Sequence, residues 1–199
     1  MDATRVAMAL DISQLNDEQL AAEAAREGSE GPAFAALFER YEARVWRVCF
    51  RLLGNAEDAA DAAQDVLVRL FLQRAKFAGR SRYSTWVHGI ALRVCLSQRR
   101  GRGRRQKYEQ AAQAENTIQN RHLAPAGDAG QKLDLLQMLE VLDEEERALL
   151  IMKYAEGYNH EELAEMFELS VSACKMRIHR AIQKLKAKYP DQSFGEDEV

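Results

Sequence analysis

The stretch from Tyr158 to Leu185, YNHEELAEMFELSVSACKMRIHRAIQKL, admits few folds. Asn159 is a good N-cap, and Glu162 three residues later completes a capping box. Tyr158 and Leu163 stand where a hydrophobic staple would pack. Leu163, Ala164 and Phe167 give this first helix a buried face. Glu168, Leu169 and Ser170 form a turn, and Ser170 caps a second helix. There Cys174, Ile178, Ala181 and Leu185 follow the i, i+4, i+7, i+11 spacing of one apolar stripe. The other faces carry Lys175, Arg177, His179, Arg180 and Lys184. A short helix bracing a basic one is the helix-turn-helix plan, whose second helix enters the major groove. A helical hairpin with a solvated basic face fits the same pattern.

A length of 199 residues allows one or two domains. Three prolines and few β-branched residues predict an all-α chain. The net charge of −3 does not advertise a nucleic-acid binder, but the signs are segregated along the chain. Cys49, Cys95 and Cys174 fall inside helical patterns, an odd and scattered set that suggests neither a disulfide framework nor a zinc site. Small buried thiols in a reducing cytosol are expected. No signal peptide is expected at the N-terminus, and no stretch is long and apolar enough to span a bilayer.

Taken in order, residues 1–14 read as a frayed leader. Asn16 and Gln19 form a capping-box pair, with Leu15 and Leu20 as its staple. That helix ends near Gly28, and Pro32 suits the first turn of the next. Phe34, Leu37, Phe38, Tyr41, Val45, Val48 and Leu52 make a core stripe over Ala33–Leu53, which Gly54 ends. In the helix from Ala56 to about Arg74, Ala59, Ala63, Val66 and Leu70 pack inward. Asp58, Asp61 and Asp65 share another stripe, with Gln64 beside it. An acidic stripe repels DNA; it is either a solvated face or the seat of a basic protein surface.

Lys76 to Arg82 form a short basic loop containing Phe77, Arg80 and Ser81. Ser84 is expected to cap the next helix, with Trp86, Val87, Ile90, Ala91 and Val94 inward. Tyr83 and Trp86 could stack on exposed bases, and Trp86 suits a core position equally well. The helix is expected to run out into a glycine-broken basic stretch from Arg99 and Arg100 to Lys107, suited to phosphates rather than to sequence readout. Residues 108–131 have the composition of a flexible linker. Leu133, Leu136, Leu139 and Leu142 mark the first helix beyond it, and Asp143 with Glu146 caps another that runs through Tyr154 to a stop at Gly157. The expected division is a leader 1–14, a helical domain 15–107, a linker 108–131, a second, helix-turn-helix domain 132–189, and an acidic tail 190–199.

GNAEDAADAAQDVLVRLF (54–71), YSTWVHGIALRVCLSQRR (83–100) and SVSACKMRIHRAIQKL (170–185), in this order and around this linker, resemble the extracytoplasmic-function (ECF) group of bacterial RNA polymerase sigma factors. The resemblance runs from Asn16 to Lys188. It implies that the helix bearing Asp58, Asp61, Gln64 and Asp65 docks on the β′ clamp helices of core polymerase, which is also bound through its β subunit. It implies that the loop 76–82 captures a flipped base of the minus-ten element. The helix from Thr85 to Arg100, with Tyr83 and Trp86 at its start and Arg93, Arg99 and Arg100 along it, would help open that element. The last helix would read the minus-thirty-five duplex. The family is usually restrained by an anti-sigma factor. Three positions depart from its pattern: Arg93 where Asn is frequent, Ser97 where Asp is frequent, and Ala173-Cys174 where Thr-Val is common. They bear on promoter preference.

On the recognition helix, Ser172, Ala173, Lys175 and Met176 lie towards the N-terminal end, where base contacts are expected. Lys175 is the best candidate for a base reader. Arg177, Arg180 and Lys184 suit phosphates, and His179 stays unassigned. No catalytic constellation, metal-ligand spacing or phosphate-cradling glycine loop stands out, so no cofactor is expected. Two other classes stay open on the residues alone: a free-standing helix-turn-helix regulator with an N-terminal sensing domain, and a helical protein-binding adaptor.

Overall fold

The computed structural model describes residues 12–27, 31–112, 138–190 and 192. Every element of regular structure among them is helical. Two helical domains follow one another, as the pattern predicts. The first holds α1 (Asp17–Arg26), α2 (Pro32–Leu53), α3 (Ala56–Gln73) and α4 (Tyr83–Ala112). The second holds α5 (Glu144–Leu150), α6 (His160–Met166) and α7 (Val171–Lys188).

Local rules set most of the helix starts. The three capping boxes form as spaced: Asn16 with Gln19, Asp143 with Glu146, and Asn159 with Glu162. In each, two backbone N–H groups that lack intrahelical partners are satisfied reciprocally. Pro32 occupies the first turn of α2, and Gly54 ends it in the left-handed region at φ +83°. The start of α4 differs from expectation. Ser84 lies inside the helix, and the free Tyr83 N–H donates to the Glu18 carboxylate of α1 at 3.0 Å. A tertiary contact does there what a local cap was expected to do.

In the first domain α2 packs on α3, and both face the first half of α4; α1 lies across α2. Leu20, Val45, Cys49, Ala59, Val66, Val87 and Ala91 are fully enclosed. Asp17 ties α1 down: its two carboxylate oxygens accept from Arg40 at 2.8 Å and from the Tyr41 hydroxyl at 2.6 Å. Burial, then that bond, pushes the Tyr41 phenol far above its ordinary range. Phe34 and Phe38, read as core, sit at the edge instead; Phe34 is half-buried and Phe38 exposed.

The second domain buries Leu149, Met152, Leu163, Cys174, Ile178 and Ala181. The helix expected to continue to Tyr154 widens into a π-helical turn over Ile151–Ala155, where the Glu156 N–H bonds back to the Ile151 carbonyl at 3.2 Å. Gly157 follows with φ +76°. Between α6 and α7 the chain closes a Schellman motif: Leu169 N–H bonds to Ala164 O at 2.8 Å and Glu168 N–H to Glu165 O at 3.2 Å. That motif needs a left-handed residue, and Glu168 supplies it at φ +56°. Of the predicted leader, Ile12–Gln14 instead form a 3-10 turn with Ile12 packed against the core, because that apolar side chain finds a surface to cover; residues 1–11, most of the predicted linker with Leu133 and Leu136, and most of the acidic tail lie outside the described residues.

Candidate nucleic-acid interface and acidic docking face

α3 carries the acidic face. Asp61 and Gln64 are exposed, and Asp65 is partly so, paired to Arg69 one turn on through bonds of 3.0 and 3.1 Å. Asp58 does not join them. It is buried, takes the Asn55 side-chain amide, and is paired with Arg102 of α4. The N-cap of α3 is Asn55, which accepts from the Asp58 N–H and donates its side-chain amide to the Asp58 carboxylate, a pairing the stripe spacing could not reveal.

Beside this face lies an apolar groove between α2 and α3, lined by Phe34, Phe38, Trp46, Ala63, Leu67 and Phe71, with Gln64 at its rim. Trp46 stacks on Phe50 at 5.3 Å, and both are more than a third exposed. Isolated exposed apolar residues are ordinary; a contiguous aromatic groove marks an interaction surface. Sequence reasoning missed it, although Phe34, Phe38, Trp46 and Phe50 recur at multiples of four residues, a second apolar stripe next to the core stripe of the same helix.

The basic loop before α4 is open to solvent. Lys76, Arg80 and Arg82 are exposed, Ser81 and Phe77 partly so, and Gly79 takes φ +67°. Tyr83 does not serve as a stacking platform: it is 2 % exposed, enclosed edge-on by Tyr41 and Phe77 at 5.2 Å each. Burial raises its phenol pKa well beyond the ordinary value. Trp86 is half-buried, tilted against Phe77 and Tyr83 at 5.6 Å, and presents an edge to solvent. The aromatic cluster therefore props the loop from beneath.

Arg93 and Arg100 project from α4, with Arg99 partly covered. Gly101 and Gly103 do not break the helix, which runs on to Ala112. The basic run thus begins as a helical ridge rather than an irregular tail. Glycine costs a helix only about 1 kcal/mol, too little to end one with so many good helix formers around it.

On α7, Ser172, Lys175, Met176, His179 and Arg180 are exposed, and Ala173 is half-covered. Ser170 accepts from the Ala173 N–H at 3.2 Å and so fixes the helix start. Arg177 and Lys184, assigned to phosphates by spacing, are engaged within their own domain: Arg177 by Glu145 at 2.7 Å, and Lys184 by Glu146. Among the described residues no ion pair engages Lys175 or Arg180. This end of the helix is thus presented with its cations available.

A further buried pair joins the domains. The Tyr158 hydroxyl meets Nδ1 of His88 at 2.5 Å, while Nε2 of His88 has no partner among the described residues. Burial, helped by Arg44, lowers the His88 pKa to about 4, so the ring is neutral near neutral pH and shares a hydrogen bond with the tyrosine hydroxyl. Nothing in the periodicity marked His88. No cluster among the described residues could hold a metal ion, and no described helix is long and apolar enough to cross a membrane.

The family model for Sigma-70 region 2 matches residues 37–105, and that for Sigma-70, region 4 matches residues 132–185. The chain is 26 % identical over 170 residues to the ECF RNA polymerase sigma factor SigW of Bacillus subtilis (strain 168), covering 80 % of this chain and 90 % of SigW. Its fold is like that of the sigma factor RpoE in complex with the anti-sigma factor NepR from Bartonella quintana, with TM-score 0.62, 22 % identity, and coverage of 80 % and 98 % of the two chains. It is also like CnrH in complex with the cytosolic domain of CnrY, with TM-score 0.61, 23 % identity, and coverage of 89 % and 99 %.

Proposed function

Because this chain belongs to the sigma-70 family of RNA polymerase sigma factors, in its extracytoplasmic-function group, we propose a division of labour among its faces. The protein directs promoter-specific initiation by binding core polymerase and recognising the minus-ten and minus-thirty-five elements. In our reading Asp61, Gln64 and Asp65 meet a basic surface of the polymerase β′ clamp helices. The neighbouring groove, from Phe34 to Phe71, receives apolar side chains of the same partner. An anti-sigma factor, the kind of partner seated on the RpoE chain, competes for this face.

The loop 76–82 and the exposed ridge of α4 act at the melting region. Lys175 reads a base edge, and Arg180 holds a phosphate. A bidentate lysine or arginine contact to guanine contributes about 1–3 kcal/mol of discrimination, whereas phosphate contacts strengthen all sequences alike. No step of the chemistry falls to this chain: polymerase forms the bonds, and the protein works in the cytoplasm alongside it.

One observation carries the reading. A single chain holds an exposed acidic face with an apolar groove in one domain and an exposed basic recognition helix in the other, within the two sigma-70 regions in their family order. A free-standing repressor would have no use for the acidic face. Reconstituted transcription with core polymerase on a promoter library tests this directly. Initiation from a defined subset of promoters is expected. Specific binding to DNA alone, with no initiation in the presence of core enzyme, would overturn it.

A further inference from the structure

α7 sorts its side chains by direction. The buried stripe of Cys174, Ile178, Ala181, Ile182 and Leu185 closes the core of the second domain. At about 100° per residue, Met176 lies roughly 180° round the helix from the middle of that stripe. Gln183 stands beside the same outward line two turns on, and Ser172 one turn before. The Ser172 hydroxyl is drawn back to that of Ser170 at 3.1 Å. Cations flank this crest. Lys175 stands on one shoulder, roughly 75° from the stripe, and Arg180 on the opposite side, roughly 145° from it. Among the described residues no ion pair engages either. Further round on the side of Arg180, Arg177 and Lys184 are held by Glu145 and Glu146.

Met176 is the unexpected member of this face. It is 51 % exposed, whereas Met152 and Met166 of the same domain are buried. Folding therefore makes no use of a large apolar side chain at the crest. Methionine has no hydrogen-bond donor and only a weak acceptor, so it gains little from the polar edge of a base. The floor of the major groove carries one apolar group, the C5-methyl of thymine. A flexible, unbranched thioether adapts readily to such a projection. The available cations on both sides favour a nucleic acid over a protein as the occupant. They suit a crest that enters between two phosphate backbones, whereas the core of a protein–protein interface is depleted of charge.

We propose that Met176 is a specificity-determining residue: it packs on the C5-methyl of one thymine in the minus-thirty-five duplex, next to the base pair that Lys175 contacts from the shoulder of the helix. This rests on the placement of α7 in that element given above, and it adds a reader of different chemistry. Lys175 selects a base by its acceptors, and Met176 selects one by its apolar surface. Adenine, guanine and cytosine carry no methyl on the groove floor, so the contact fixes both the A·T pair and its orientation. The side chain passes from half-exposed to covered only on the correct sequence, and burial of apolar surface then favours that sequence alone.

Removing the methyl from the DNA tests this directly. Holoenzyme assembled from the full chain and core polymerase is titrated with a promoter recovered from the library. Each thymine of its minus-thirty-five element, on either strand, is replaced singly by deoxyuridine. Uracil keeps the hydrogen-bonding edge of thymine and lacks only the methyl. At one thymine the parent should lose about fourfold in affinity, the worth of one buried methyl-sized group. Met176→Ala should bind the thymine and uracil promoters alike at that position. Met176→Leu, which keeps an apolar contact, should retain the difference, and so should Lys175→Ala. Thermal unfolding should not move in any of the three, because both side chains are exposed. A promoter with no methyl-sensitive thymine would overturn the assignment. So would a sensitivity undiminished in Met176→Ala, including the case where that variant weakens both promoters equally, as loss of a protein contact would. Failure to recover any promoter overturns the reading of α7 as well, so the two failures are distinct.

Discussion

Reversing the acidic face of α3 should separate docking from folding by orders of magnitude. The perturbation is Asp61→Arg with Asp65→Arg. Asp61 is exposed and lies beyond the first turn of α3, so the helix dipole contributes little there. Asp65 makes an i,i+4 pair with Arg69, with side-chain exposures of 43 % and 48 %. Losing that pair costs about 0.3–0.5 kcal/mol, and a new arginine one turn from Arg69 adds a like-charge term of similar size. Stability should therefore fall by about 1 kcal/mol, a shift of a few degrees in Tm for a domain of this size. Docking should suffer far more. Like charges juxtaposed at an interface cost several kcal/mol. At 1.4 kcal/mol per decade, about 3–4 kcal/mol lowers core affinity by roughly 10²- to 10³-fold. Equilibrium titration of labelled core polymerase at moderate salt, with thermal unfolding of the same preparations, measures both quantities. A small loss of Tm with less than a threefold change in core affinity would refute the docking assignment.

Three other outcomes are expected. Lys175→Ala should change which minus-thirty-five sequence is preferred, whereas Arg180→Ala should weaken all sequences alike and lower the salt slope by about one; binding profiles across a duplex library separate the two. His88, with its pKa lowered to about 4 by burial, favours the folded chain in its neutral form. Its contribution is complete above about pH 6.5 and is lost as pH falls from there towards 4, by about 3 kcal/mol in all; urea unfolding at pH 5 and pH 7 should show a smaller difference in His88→Gln than in the parent. Glu168→Gly should stabilise the second domain by about 0.5–1 kcal/mol by relieving the left-handed strain at φ +56°, read as a raised urea midpoint.

The features legible in the sequence are the local ones. A capping box needs two side chains three residues apart, so Asn16, Asp143 and Asn159 could each be found from their neighbours alone. The apolar stripe of α7 follows from helix geometry in the same way. The misread features depend on what another element brings. Ser84 had the chemistry of a cap, but Glu18, sixty-five positions away, reaches the helix start first. Tyr83 and Asp58 were given to surfaces because tyrosine and aspartate suit those tasks, yet one closes an aromatic cluster and the other is buried between Asn55 and Arg102. Gly101 looked like a breaker because its cost was judged without the helix formers around it. The Glu144–Glu145–Glu146 run reads locally as the acidic first turn of a helix, and it is that; the second use of Glu144 and Glu145, pairing with Arg99 and Arg100 of α4, involves residues more than forty positions away.

The bond between Glu18 and the start of α4 bears on where this protein can be cut. The family match begins at residue 37, after α1 has ended. A first domain trimmed to that boundary would lose Glu18 from the Tyr83 N–H, Asp17 from Arg40 and Tyr41, and the fully enclosed Leu20. α4 would then begin with an open end, above a core missing one wall. What the family model spans and what folds as a unit are therefore different lengths of chain here. A fragment that begins near Leu15 carries its own wall and cap, and a shorter one must find both elsewhere.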